Sequence, residues 1–255
     1  MHGPTGRCPL PPVRRLSVVR GPGPGNHGGS GGLVVSVQLL TRIPWEVLLP
    51  GSVVVATAEH DVDGPLADDE RDAVATALPG RRAEFVTGRA LARQALGALG
   101  IRRASIPVAR SGAPVWPPGV VGSITHCVGL RACAVGRRDE HAGIGIDATP
   151  ARPLPGGVLA RVADLGSAPV AAGLDALRAA GIESPDSVLF AAAEAVAKAR
   201  TSAHGGWHGI DGADVALHPD GSFDARARRG PAFAATGRWA VAGGLALAGI
   251  ALEEH

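Results

Sequence analysis

The sequence predicts an α+β fold in which helices and a meander of short antiparallel strands occur twice along the chain. Two stretches of helical periodicity, 81–99 and 185–200, stand far apart. Each lies close to a set of short apolar runs separated by Gly and polar turns, the pattern of hairpins. With 255 residues, the chain can bury one sizeable core or two packed halves.

Residues 1–32 are rich in Gly, Pro and Arg without an apolar period, and are expected to form a disordered tail. Residues 53–56 read as a buried strand, and 68–78 and 81–99 as helices, the second closed by Gly100. Short strands are expected at 106–109, 120–125, 130–135 and 144–147. A Pro-rich crossover at 150–155 leads to helices at 158–164, 168–180 and 185–200, the last with Ser184 as N-cap and Pro185 at its first position. Strands at 214–217 and 222–227 and a hairpin at 239–252 complete a second strand set.

Composition narrows the function classes. A hydrophobic content of 45% and a mean hydropathy of +0.16 indicate a globular chain. No run approaches the roughly 18–20 apolar residues of a membrane span, and Pro and Gly follow Arg14-Arg15 where an export signal needs an apolar stretch. A net charge of +2 is too balanced for a sequence-independent nucleic-acid binder. The three cysteines, Cys8, Cys127 and Cys133, have no C-x-x-C spacing, which fits a reduced cytoplasm.

Four segments carry candidate chemistry. On the helix at 81–99, Arg82, Arg89 and Arg93 share one stripe and Phe85, Ala92 and Leu96 the next, so a basic face meets either an anion or water. On the strand near 120–126, Ile124 and His126 share one face and Ser123 and Thr125 the other. A lone histidine at a strand end is more often structural than functional. Asp147 ends an apolar strand, a sound position for a metal ligand and equally a common strand terminus. Glu194 and Lys198 are four apart on a helix and can reach one face, as an ordinary surface pair also does.

Taken in order, Trp116-Pro117 through Ser123-Ile124-Thr125-His126-Cys127, then Gly145-Ile146-Asp147, then Phe190 through Glu194 to Lys198 resemble the 4′-phosphopantetheinyl transferases. The likeness is closest to the larger, pseudo-dimeric type that serves siderophore, polyketide and fatty-acid synthases, and it runs from about residue 53 to 252. It implies two similar halves, 33–142 and 143–255, with the active site in the cleft between them. It further implies a cytoplasmic monomer that transfers the 4′-phosphopantetheine arm of coenzyme A to a serine of an acyl or peptidyl carrier protein, releasing 3′,5′-ADP.

On this resemblance Asp147 and Glu194 bind Mg²⁺, and His126 and Lys198 meet the pyrophosphate. Glu194, Lys198 and His126 form the catalytic set. Arg81, Arg82, Arg89 and Arg93 make a basic wall around the 3′-phosphate, with Ser123 and Thr125 lining the same cleft. The chain departs from the family pattern at Thr149, where the larger enzymes carry a Glu, at Ala193, where they carry a Lys, and at Ala197, an aromatic position. Those departures leave a second reading open, a non-catalytic paralogue that binds coenzyme A or a carrier protein, and a third, hydrolysis of the coenzyme A pyrophosphate. The charged residues kept at each motif favour the transferase.

Overall fold

Two antiparallel sheets, each backed by one 20-residue helix, make up the molecule. The computed structural model describes residues 17–20, 43–102, 104–206 and 209–253. The N-terminal half comprises β1 (Ser17–Arg20), α1 (Trp45–Leu48), β2 (Val54–Ala58), α2 (Asp68–Asp72), α3 (Pro79–Ala98), β3 (Val120–Cys127) and β4 (Leu130–Arg137). The C-terminal half comprises β5 (Gly143–Pro150), α4 (Leu159–Val162), α5 (Ala168–Ala179), α6 (Pro185–His204), β6 (Ala213–Leu217), β7 (Ser222–Ala227), β8 (Ala234–Ala242) and β9 (Leu245–Leu252). Strand order is β1-β2-β4-β3 in the first sheet and β5-β9-β8-β7-β6 in the second.

Strand alternation distributes the core. Val54 and Ala56 of β2 and Cys133 and Val135 of β4 pack against Leu91, Ala92, Ala95 and Leu96 of α3. Their neighbours Val55 and Ala134 face the other way, meeting Ile144 and Ile146 of β5 and Leu247 of β9 between the two sheets. On its opposite face β5 carries Gly143, Gly145 and Asp147, directed at α6. A Cβ added at Gly145 would stand 2.8 Å from both the Ala195 carbonyl carbon and the Ala199 nitrogen, so only glycine lets the helix lie this close to the strand.

Several elements differ from the expectations. The helix expected at 68–78 stops after Asp72 and gives way to turns; within it Glu70 is buried, its carboxylate accepting the Ala67 and Ile106 amides. The same bond takes the Ile106 amide from any ladder, so the strand expected at 106–109 is reduced to one bridge, Val108 to Pro114. The helix expected at 158–164 is a single turn. Ser184 does occupy the N-cap of α6, but its side chain makes no cap bond. The expected disordered tail at 1–32 lies outside the described residues except for Ser17–Arg20, which pair with 54–57 as an edge strand.

Candidate active site

The two sheets meet along β3 and β5, which lie side by side without sharing a ladder. Side chains join them instead. Ser123 Oγ accepts the Ile146 amide at 3.1 Å, and Thr125 Oγ1 donates to Asp147 Oδ1 at 2.8 Å. From α6, Lys198 Nζ donates to the same Oδ1 at 2.6 Å and to the Ile146 carbonyl at 3.3 Å.

Where the edges diverge they open a cavity of about 380 Å³. Thr125, His126, Asp147, Thr149, Glu194 and Lys198 line it with polar groups, and Ile124, Cys127 and Phe190 with apolar ones. Glu194 and Lys198 lie one helical turn apart and both reach it. Burial, and to a lesser extent the neighbouring Asp147 charge, push the Glu194 carboxyl above the usual carboxylate range, while Lys198 pulls the other way. Burial raises the Cys127 thiol, so it is no ready nucleophile.

His126 sits on the α3 side of the cavity mouth. Its Nε2 is 3.2 Å from Arg81 Nη1 and its Nδ1 is 3.6 Å from Glu84 Oε1. Burial is the main cause that lowers its pKa; Glu84 opposes this, and the cations Arg81, Arg131 and Lys198 add to it.

The four arginines of the basic helix have separate partners in the ligand-free protein. Only Arg81 stands beside the cavity, through its contact with His126. Arg82 Nη1 donates to the Val74 carbonyl at 3.4 Å. Arg89 is 5% exposed, donates from Nε to the Ile106 carbonyl at 2.7 Å and lies over the Phe85 ring; burial pushes its pKa down to about 10. Arg93 pairs with the fully buried Glu70. Arg82 and Arg93 thus tie α3 to the segment around α2, and Arg89 ties it to the segment before β3. Ser123 is likewise buried in the seam between the sheets.

Two of the departures from the family pattern face the interior. Ala193 and Ala197 are 2% and 3% exposed on the buried side of α6. Arg200, on the same helix, is fully buried, with its guanidinium on the Gly212 and Arg229 carbonyls and over the Phe233 ring. Glu84 is the residue at this site that the motifs did not single out, although its spacing of three from Arg81 on α3 places the two together.

The donor set fits a hard divalent cation. Asp147 and Glu194 offer carboxylate oxygens to one cavity, and among the described residues Asp147 Oδ2 takes no protein hydrogen bond. No cluster of three or more His, Cys, Asp or Glu that could hold a metal occurs among the described residues. A cation here would rely on two carboxylates together with ligand phosphates and water, the manner of Mg²⁺ in phosphoryl-transfer sites.

Residues 69–136 match the family model of the 4′-phosphopantetheinyl transferase N-terminal domain. The chain is 42% identical to the 4′-phosphopantetheinyl transferase Svp of Streptomyces mobaraensis, over 80% of this chain and 87% of that one. It is 37% identical to PptT of Mycobacterium tuberculosis, over 72% of this chain and 85% of the relative, and 35% identical to Npt of Nocardia iowensis, over 81% and 98%. Both carry the same enzyme name. The likeness covers most of the chain, and the chain belongs to the 4′-phosphopantetheinyl transferase family.

Proposed function

We propose that the protein transfers the 4′-phosphopantetheine arm of coenzyme A to a serine of an acyl or peptidyl carrier protein in a Mg²⁺-dependent reaction. The observation that carries this reading is the convergence of Asp147, Glu194, Lys198 and His126, from β5, α6 and β3, on one cavity. The serine Oγ attacks the β-phosphorus of coenzyme A and gives up its hydroxyl proton to water. The bond from that phosphorus to the bridging oxygen breaks, and 3′,5′-ADP leaves with the bridging oxygen. Such a transfer is mostly positioning and charge neutralisation.

Lys198 and His126 hold the pyrophosphate, and Arg81 adds a guanidinium at the cavity mouth. Asp147 and Glu194 hold Mg²⁺, which supplies neutralisation of the charge building on the transferred phosphoryl group. All these groups come from one chain, which supports a monomeric enzyme. Thr149 supplies no carboxylate, leaving two acids in the set.

The charge pattern favours a transferase over a relic. Glu194 is kept partly buried beside Asp147, and among the described residues no donor hydrogen-bonds its carboxylate. Such an arrangement weakens the ligand-free fold and makes sense when a cation and phosphates fill the site.

The test is intact-protein mass spectrometry of apo acyl- and peptidyl-carrier proteins incubated with the protein, Mg²⁺ and coenzyme A, beside an Asp147→Ala control. A mass gain of roughly a third of a kilodalton, the phosphopantetheine arm, that disappears in the control is the expected result. No gain on several carriers with coenzyme A binding retained would establish the non-catalytic binder instead. Release of 3′,5′-ADP without carrier protein would mark a hydrolase.

A further inference from the structure

Resting on the reading of His126 as a phosphate-binding group, we infer that Glu84 is a positioning residue that fixes the tautomer and supports the charge of that imidazole. The geometry is a closed trio at the cavity mouth. Arg81 Nη1 stands 3.2 Å from His126 Nε2 and 3.4 Å from Glu84 Oε2, while Glu84 Oε1 stands 3.6 Å from His126 Nδ1. Arginine only donates, so the ring nitrogen that faces it must present its lone pair. That assigns Nε2 as acceptor and leaves the ring proton on Nδ1, directed at the Glu84 carboxylate. One carboxylate therefore serves two cations or would-be cations, one on its own helix and one across the gap from β3.

The consequence appears when phosphate enters. Arg81 is 61% exposed and free to turn from the imidazole toward an anion. Nε2 is then bare beside a phosphate oxygen and can meet it only as a donor, which requires a second ring proton, taken from solvent. The resulting imidazolium has Nδ1–H on Glu84 and Nε2–H on phosphate, each proton facing an anionic oxygen. The other groups around the ring are Arg81 of α3, Arg131 of β4, Lys198 of α6 and Asp61 of the loop after β2. Asp61 is already engaged by Arg131 at 2.7 Å; of the acids that line the cavity with His126, Asp147 is engaged by Lys198 at 2.6 Å and Glu194 belongs to the proposed metal set, and Arg81, Arg131 and Lys198 oppose the second proton. Glu84 is the carboxylate nearest the ring, and once Arg81 turns toward phosphate its charge is left to the imidazole.

The test uses the full-length protein carrying Glu84→Gln, which keeps size and hydrogen bonding and removes charge, with Glu84→Asp, His126→Gln and the Glu84→Gln/His126→Gln double variant. Two quantities are read: the titration midpoint of the His126 imidazole by NMR with ¹³C-labelled histidine, its signal identified by its loss in His126→Gln, and the dissociation constant for coenzyme A. Glu84→Gln is expected to lower the His126 midpoint and to weaken coenzyme A by about tenfold, as loss of a partner that orients a ligating histidine does. Glu84→Asp is expected to recover part of both. In the His126→Gln background the second substitution should add nothing. An unmoved midpoint, or a further loss of affinity in the double variant, overturns the inference; a general structural effect of Glu84 would show as the latter, with a lowered melting temperature. Should the wild type fail to bind coenzyme A, the proposed function fails, while the midpoint still reports separately on the Glu84–His126 coupling.

Discussion

Replacing Gly145 by alanine tests how the site is held together, because this residue shares a strand face with Asp147 and supports the helix that carries Glu194 and Lys198. A methyl at Gly145 would stand 2.8 Å from the Ala195 carbonyl carbon and from the Ala199 nitrogen, and nearer still to the Ala195 oxygen, where ordinary contacts begin at 3.4 Å. These neighbours are helix backbone and cannot rotate away. α6 must withdraw from β5 by about 1 Å in a close-packed interior. Overpacking of this kind costs about 1–3 kcal/mol of stability. A displacement of about 1 Å between catalytic groups costs about a hundredfold in rate, because Asp147 stays with the strand while its partners leave with the helix. Denaturant unfolding and carrier-loading kinetics measure the two effects. Ile144→Val is the control: it lies on the same strand but faces the core between the sheets, and should cost about 1 kcal/mol without moving α6. If Gly145→Ala loads carrier protein at the wild-type rate, or if both variants lose activity in proportion to stability, the positioning argument is wrong.

Further predictions concern buried polar groups and the altered motifs. His141 is 6% exposed, with Nε2 on Ser52 Oγ at 2.8 Å and Nδ1 without a partner among the described residues, and burial lowers its pKa. Its contribution is full above the unfolded value near 6.5 and is lost as pH falls through the lowered folded value; melting scans across that range should fall toward acid, and His141→Phe should flatten the limb. Arg200→Ala leaves the Arg229 carbonyl without its guanidinium donor and opens a void, while Gly212 keeps the Arg228 amide, so unfolding measurements should show a loss of about 2–4 kcal/mol. Iodoacetamide followed by peptide mapping should label Cys127 slowly and Cys133 not at all, since burial raises both thiols and Cys133 is fully buried, and coenzyme A should protect Cys127. Thr149→Glu adds a third carboxylate to the cavity and should tighten Mn²⁺ binding by about tenfold in calorimetry; unchanged affinity would mean that position 149 does not face the cation.

What could be read in the sequence followed from local signals. α3 and α6 carry long apolar stripes, a proline in the first turn and, for α3, Gly100 at φ 83° just beyond its end, so both are legible to within a few residues. Asp147, Glu194, Lys198 and His126 are legible because each falls in a short motif, although Asp147 lies within β5, which runs on to Pro150, and not at a strand end. What was hidden depended on one residue with distant partners. Glu70 takes the Ile106 amide 36 positions away and the Arg93 guanidinium 23 away, and so holds a would-be strand residue and an arginine of α3 at one buried carboxylate. Nothing in the spacing around Asp68-Asp69-Glu70 distinguishes the buried acid from its exposed neighbours. Trp45–Leu48, at four residues, is too short to show a period at all.

The unpaired edges of β3 and β5 explain why a cavity exists where it does. A hydrogen-bonded ladder would draw the strands to about 4.8 Å apart and fill the seam with backbone. An open edge normally leaves amides and carbonyls exposed to chance pairing. Here the amide of Ile146 is taken by Ser123 and its carbonyl by Lys198, so two side chains do for the edge what a neighbouring strand would have done. Lys198 therefore serves both the fold and the site, and so does Thr125 through its bond to Asp147. A substitution at either position perturbs the spacing of the halves together with the chemistry, whereas Glu194, with no donor of its own among the described residues, belongs to the cavity alone. Glu194→Gln is consequently the cleaner probe of the transfer step: loss of carrier loading in that variant, with melting unchanged or raised, separates the ligand-holding function of the carboxylate from the architecture that presents it.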